Sequence, residues 1–188
     1  MKIVFTGTGS TGKSTLLKEL QNNPKFNNGN IDFIDSITET AKKMGYKINE
    51  NGTDETQLAI AQIHKDNIEN SEINKRDFVA SRCMLDCYCY SRYLYNTKQI
   101  KYGTMRMIEE YLRELYPAYD IVFYIRPEFD RVENGLRSTN QEFVDSVAKI
   151  FENTIKEKKL DVCILRGTVK ERMKQIYAEL RRRNHLYE

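Results

Sequence analysis

Short apolar runs alternate along the chain with stretches whose apolar residues recur every three or four positions. Runs at 2–6, 31–35, 77–81, 120–125 and 161–165 predict five strands, and the helical stretches between them predict a βαβ chain with a parallel sheet. Leu16, Leu17 and Leu20 mark a first helix, and Asp54-x-x-Gln57 reads as a capping box opening a helix that runs through about residue 70. Met105, Ile108, Leu112 and Leu115 keep one helical face apolar, as do Phe143, Val144, Val147, Ile150, Phe151 and Ile155, with Ser138-x-x-Gln141 as the expected start. Thr168-x-x-Glu171 caps a last helix with apolar positions Val169, Met173, Ile176 and Leu180. The Asn-rich stretch 22–30 is a loop, and no internal repeat is visible. The expected architecture is α/β, a five-stranded parallel sheet flanked by helices, in one domain over residues 1–188.

Directly after the first apolar run stands Gly7-Thr8-Gly9-Ser10-Thr11-Gly12-Lys13-Ser14-Thr15, a full match to the phosphate-binding loop G-x-x-x-x-G-K-[ST]. Glycines let successive backbone N–H groups turn inward toward phosphate oxygens, and the following helix adds the positive end of its dipole. Lys13 is expected at the β- and γ-phosphates, and the Ser14 hydroxyl on Mg²⁺. The cofactors this implies are ATP and Mg²⁺.

Charge and cysteines narrow the setting. A net charge of +3 with 30% charged residues of both signs describes a well-solvated surface rather than a dedicated nucleic-acid binder. Lys170, Arg172, Lys174, Arg181, Arg182 and Arg183 concentrate basicity near the C-terminus and read as a solvated helix face. No signal peptide or membrane span is recognisable, so the expected location is cytoplasmic, with no membrane partner. Cys83, Cys87 and Cys89 cluster, but Cys89 points away from the other two on a helix and Cys163 lies in a strand pattern, so buried, reduced thiols are expected rather than a metal site.

A phosphate loop is shared by several protein classes, and the rest of the chain chooses among them. Asn74-Lys75-Arg76-Asp77 matches the guanine-reading N-K-x-D but precedes a strand instead of following one, and no D-x-x-G switch exists. A ring-forming ATPase would place an acid at the end of an apolar strand beside the loop, whereas the third strand ends Val79-Ala80-Ser81-Arg82. What remains is a small kinase. Arg126, Arg131 and Arg137, with Gly135 between the last two, suit a lid at about 126–140 that closes positive charge over a migrating phosphoryl group.

The order of phosphate loop, Thr38-Glu39-Thr40-Ala41-Lys42 with Gly45, Gln57 to Gln62, Ser81-Arg82-Cys83-Met84-Leu85-Asp86 with Tyr90, and Asn134-Gly135-Leu136-Arg137-Ser138 resembles the P-loop kinase family typified by the nicotinamide riboside kinase domain of NadR-type proteins. Phage-encoded kinases are among its members. The resemblance spans nearly the whole chain, with the phosphate loop its one sharp motif. It implies a nucleoside- and nucleotide-kinase fold with ATP as donor, adenine beside the loop from Arg166 and Gly167 to Val169, and Glu39 as the family's glutamate. Tyr90 is the tyrosine that the match selects for stacking on an acceptor. The chain departs from the family at Ser81-Arg82, where Asp-Arg is usual, which shifts the work of that acid to other carboxylates.

Transfer to a hydroxyl needs a carboxylate as base or orienting group. Asp35, ending the second strand, and Glu39 are the best-placed candidates; Arg82 is expected to bridge phosphates near the reacting centre. Asp86 is expected either to bind a substrate hydroxyl or to pair with a neighbouring arginine. His64 is expected at the surface or behind the site. The leading expectation is a kinase for a nucleoside-like acceptor: a nucleoside, nicotinamide riboside, a nucleotide, or a hydroxymethylated pyrimidine in phage DNA. The competing expectation is a nucleotide-binding ATPase or regulator with no phosphoryl acceptor.

Overall fold

Five short strands pair in parallel throughout: β1 (Lys2–Thr6), β2 (Ile31–Ile34), β3 (Asp77–Ala80), β4 (Ile121–Ile125) and β5 (Cys163–Leu165). The computed structural model describes residues 1–27, 29–35, 37–127 and 140–184. Across the sheet the order is β2-β3-β1-β4-β5, with β1 in the centre. β2 and β3 lie to one side of β1 and β4 and β5 to the other, so β1 stands at the switch point where an open parallel sheet forms a crevice at its carboxyl end.

Alternate residues of each central strand enter opposite layers. Ile3 and Phe5, Val79, and Ile121, Phe123 and Ile125 pack with Leu16, Leu17 and Leu20 of α1 (Lys13–Gln21) and with Ile176 and Leu180 of α7 (Val169–Arg182). Val4, Phe78, Ala80, Val122 and Tyr124 face the other layer. That layer comprises α3 (Asp54–Asn74), α4 (Met84–Asn96), α5 (Tyr102–Leu115) and α6 (Gln141–Glu157). Met105, Ile108, Leu112 and Leu115 of α5 and Phe143, Val147 and Phe151 of α6 are buried there, each large side chain contributing about 2 kcal/mol of apolar burial. The remaining helix, α2 (Ile37–Lys43), follows β2. No helix among the described residues is long and apolar enough to cross a membrane.

All five expected strands form, with trimmed ends. β2 stops at Ile34 and β3 at Ala80 because the last ladder bond runs from Ser81 N–H to the Ile34 carbonyl at 3.0 Å, leaving Asp35 and Ser81 to turn their side chains toward each other. The helix starts also differ in detail. Thr53, one residue before the expected capping box, is the N-cap of α3 and accepts from Thr56 N–H, while Asp54 accepts from Lys101 N–H at 2.9 Å and ties α3 to the start of α5. Asn140 caps α6 through Phe143 N–H; Ser138, the expected cap, lies outside the described residues. The Thr168–Glu171 capping box of α7 forms as expected.

Asn74 to Asp77 lie at the opposite end of the sheet from the phosphate loop. Lys75 is the left-handed C-cap of α3 and Arg76 makes a two-pronged ion pair with Asp32, so this stretch is a strand entry rather than a base reader. The solvated reading of the basic C-terminal helix fails at one residue. Arg172 is 2% exposed and shares the core-facing line of α7 with Ile176 and Leu180, whereas Val169 is 40% exposed.

Candidate active site

The loop from Gly7 to Gly12 joins β1 to α1 at the carboxyl end of the central strand. Gly7 has φ +133°, and a Cβ there would lie 2.3 Å from the Ile125 carbonyl oxygen, so only glycine lets the loop leave β1 against the end of β4. Gly12, also left-handed at φ +91°, turns the chain into α1. Lys13 is buried and folds back over the loop, donating to the carbonyls of Gly7 at 2.7 Å and Thr8 at 2.5 Å and to the Thr11 hydroxyl at 3.2 Å. Thr8 Oγ1 and Ser10 Oγ are buried with no hydrogen-bond partner among the described residues, which fits a loop built to receive anionic oxygens. Gly9 lies within the same loop, and Thr15 is exposed on α1.

Two features behind the loop lay outside the sequence reading. Arg172 Nη1 donates to the Thr11 carbonyl at 2.7 Å, so α7 braces the loop from below. Its spacing from Ile176 and Leu180 was a usable signal, masked by the expectation that arginine stays in solvent. On the other side, Thr6 at the end of β1 donates to Asp86 Oδ2 at 2.7 Å.

Asp35 and Ser81 meet beside α1. Ser14 Oγ donates to Asp35 Oδ1 at 3.0 Å, and Ser81 Oγ donates to the same oxygen. Ser81 thus contacts a carboxylate that arrives from the neighbouring strand. A divalent cation ligated by Ser14 would find Asp35 as its adjacent anionic oxygen.

Asp86 is 3% exposed and accepts from Thr6, from Cys83 N–H at 3.0 Å at the start of α4, and from Arg82 Nη1 at 3.3 Å. The reading that pairs it with a neighbouring arginine is the one the structure shows. Arg82 lies 5.5 Å from the Tyr90 ring centre. Burial works against its charge but is outweighed by Tyr90, Asp86 and Asp35, which hold the guanidinium above its ordinary range.

A cavity of about 30 Å³ opens next to these groups, walled by Arg82, Asp86, Tyr90, Gln57 and His64 on α3 and α4 and their approach, and by Thr38 and Asn49 opposite. Gln57 accepts from Ser91 Oγ at 3.0 Å. Tyr90 is the member of its cluster that reaches the cavity; Tyr93 packs edge-on against Phe143 at 4.7 Å and Tyr88 carries Arg92 and Lys158 on its faces. Glu39 lies in the first turn of α2, ion-paired with Lys43 at 3.0 Å, and is not among the described residues lining the cavity.

Of the two places expected for His64, the surface is not the one it takes: it is 3% exposed, and its Nε2 has no hydrogen-bond partner among the described residues. Burial, assisted by the Arg82 charge, pushes its pKa from 6.5 down to about 3, so the ring is neutral at pH 7. Because the unfolded chain takes up this proton at a higher pH than the folded one, stability falls as pH drops through 6.5 toward 3. At pH 5 this one group is expected to cost about 2 kcal/mol relative to pH 8. Urea unfolding of wild type and His64→Gln at both pH values checks it; equal losses in the two proteins would rule His64 out as the source.

Cys83, Cys87 and Cys89 are buried free thiols, burial raising all three and taking Cys87 to about 12, and the described residues contain no group of three or more metal-ligating side chains. On the far side of the phosphate loop, Arg126 pairs with Glu152 at 2.7 Å. Gln175 grips the Arg166 backbone at both ends, at 3.2 and 2.8 Å, and Gly167 follows with φ +84°. The lid arginines Arg131 and Arg137 lie outside the described residues.

Solved structures share this fold at low identity. A deoxyadenosine kinase from M. mycoides, solved with dCMP and dCDP, matches at TM-score 0.66 and 16% identity over 99% of this chain and 100% of that one. NadR protein in complex with NR matches at TM-score 0.71 and 14% identity over 94% of this chain, which spans 50% of NadR. Thymidylate kinase from Candida albicans matches at TM-score 0.66 and 13% identity over 98% of this chain and 92% of that one. These likenesses establish the fold as that of P-loop nucleoside and nucleotide kinases. A search of curated proteins found no match. An AAA domain family, by contrast, matches residues 2–172, nearly the full length, and the chain belongs to that family.

Proposed function

We propose that this protein is an ATP- and Mg²⁺-dependent kinase that transfers the γ-phosphoryl group to a hydroxyl of a nucleoside-like acceptor. The observation that carries the reading is the two-ended site. A phosphate loop with Lys13, Ser14 and Asp35 abuts a separate cavity with its own buried polar groups, and Ser81-Arg82 joins the two. The kinase fold of the structural neighbours supports the reading, and the acceptors those neighbours were solved with or named for suggest its class.

In this scheme the loop amides and Lys13 hold the β- and γ-phosphates, Ser14 ligates Mg²⁺ with Asp35 beside it, and adenine lies along Arg166 and Gly167. The acceptor oxygen bonds to the γ-phosphorus as the bond to the β-bridging oxygen breaks. ADP leaves, and the hydroxyl proton passes to a carboxylate, for which Asp35 is best positioned. Arg82 neutralises charge on the migrating group from the acceptor side, and Arg126, Arg131 and Arg137 do so from the lid at 126–140. Glu39, in the first turn of α2, is the further carboxylate proposed to act on the acceptor. A finer version makes the protein a phage-encoded, NadR-type kinase acting on a free nucleoside or nucleotide in the cytoplasm, or on a hydroxymethylated pyrimidine in DNA.

Incubation with γ-labelled ATP and a panel of nucleosides, nicotinamide riboside, mononucleotides and hydroxymethylated duplex DNA tests the proposal. Label in an organic product is expected; label released only as free phosphate would establish the ATPase reading instead. Asp35→Ala is expected to raise the Mg²⁺ concentration needed for half-maximal rate by about tenfold or more, the usual cost of losing a group that orients a metal's ligands. A magnesium titration of wild type and variant reads this directly, and coincident curves would remove Asp35 from the metal site.

A further inference from the structure

The cavity beside Arg82 carries more information than its position. Apart from Arg82 and Asp86, the described residues that line it carry no formal charge, and these two already neutralise each other at 3.3 Å. Asp86 is further engaged by Thr6 and Cys83, and the Tyr90 ring already faces the Arg82 guanidinium. A cationic ring entering here would therefore meet a part-buried arginine whose ion-pair partner is already engaged, and the aromatic ring nearest that arginine is already taken by a cation. Against that background stands His64 Nε2, a buried polar atom with no partner among the described residues, on a side chain that lines the same cavity. Leaving such an atom unpaired is costly, and a ligand atom that pairs with it recovers that cost.

We infer that His64 is a specificity-determining residue of the acceptor pocket, pairing through Nε2 with the hydrogen-bonding edge of an uncharged heteroaromatic base, and that the pocket discriminates against pyridinium ribosides. The inference rests on the kinase reading for its reaction but on the cavity alone for its ligand. His64 is neutral at working pH, so it offers a directional hydrogen bond and adds no charge. Gln57, about two helical turns earlier on the same helix, supplies an amide to the pocket. At about 30 Å³ the cavity holds a water molecule but no ring, so a base enters by outward movement of the wall that carries Thr38 and Asn49.

The test is nitrogen NMR of the intact protein labelled at its two histidines, His64 and His185, with a non-hydrolysable ATP analogue and Mg²⁺ present. Purine and pyrimidine nucleosides and nicotinamide riboside are titrated in turn. The expected result is a saturable shift of the His64 Nε2 resonance with at least one neutral nucleoside and none with nicotinamide riboside. In steady-state assays, His64→Met should then raise the KM for that nucleoside about tenfold while the KM for ATP stays put. Because the binding experiment uses the unmodified protein, it stands even if the variant folds poorly. A comparable shift with nicotinamide riboside overturns the inference, as does a neutral nucleoside that binds without moving His64, or the absence of any nucleoside response. Binding to His64 without phosphoryl transfer would overturn the kinase reading and leave the pocket assignment intact.

Discussion

Lys13→Ala is expected to lower phosphoryl transfer by a factor on the order of 10³, the scale seen when one preorganised charge-stabilising donor is removed from an active site. The reason lies in where the ammonium is held. Three loop acceptors, the Gly7 and Thr8 carbonyls and the Thr11 hydroxyl, fix Nζ against the phosphate loop, so the charge is in place before nucleotide arrives. A methyl group at that position leaves the loop carbonyls to water and the β- and γ-phosphates without their nearest cation. Initial rates at saturating ATP, with thermal melts of both proteins run alongside, separate lost chemistry from lost fold. A variant that melts like wild type and turns over within tenfold of it would show that Lys13 does not serve the transferred group.

The second large effect is on stability. Asp86→Ala is expected to destabilise the protein by about 3–5 kcal/mol, the range for removing one partner of a buried, hydrogen-bonded charge pair. The Thr6 hydroxyl, the Cys83 N–H and the Arg82 guanidinium all converge on this carboxylate at 2.7, 3.0 and 3.3 Å, and neither Thr6 nor Cys83, both fully buried, can turn to solvent without opening the junction between β1 and α4. Asp86→Asn keeps an acceptor oxygen and the side-chain volume, so it should lose less. Chemical denaturation of the three proteins at pH 7.5 measures the ladder. A loss below about 1 kcal/mol for the alanine variant would mean that the network is dispensable.

These two residues also mark the boundary of what was legible before the structure. Lys13 belongs to a contiguous motif whose geometry is local: strand, glycine turn and helix lie within a few residues, so the chemistry can be read in one line of sequence. Asp86 was visible as an acid one turn into a helix, but its acceptance of Thr6 spans 80 positions and depends on β1 lying next to β3, which no local pattern encodes. Arg172 and His64 were hidden for the same reason. Each sits on a helix with an ordinary amphipathic pattern, and only the packing of that helix against a distant loop or cavity turns a polar side chain inward. The pairing of Asp35 with Ser81 shows the limit from the other side. The departure from Asp-Arg was evident in the sequence, whereas its compensation from the adjacent strand required the register in which Ile34 faces Ala80.

The Arg172 brace has a consequence for how distant parts of the chain depend on one another. The guanidinium that supports the Thr11 carbonyl stands 161 positions later in the sequence. The braced form of the loop is therefore reached only once α7 has docked, which ties support of a local motif to closure of the fold.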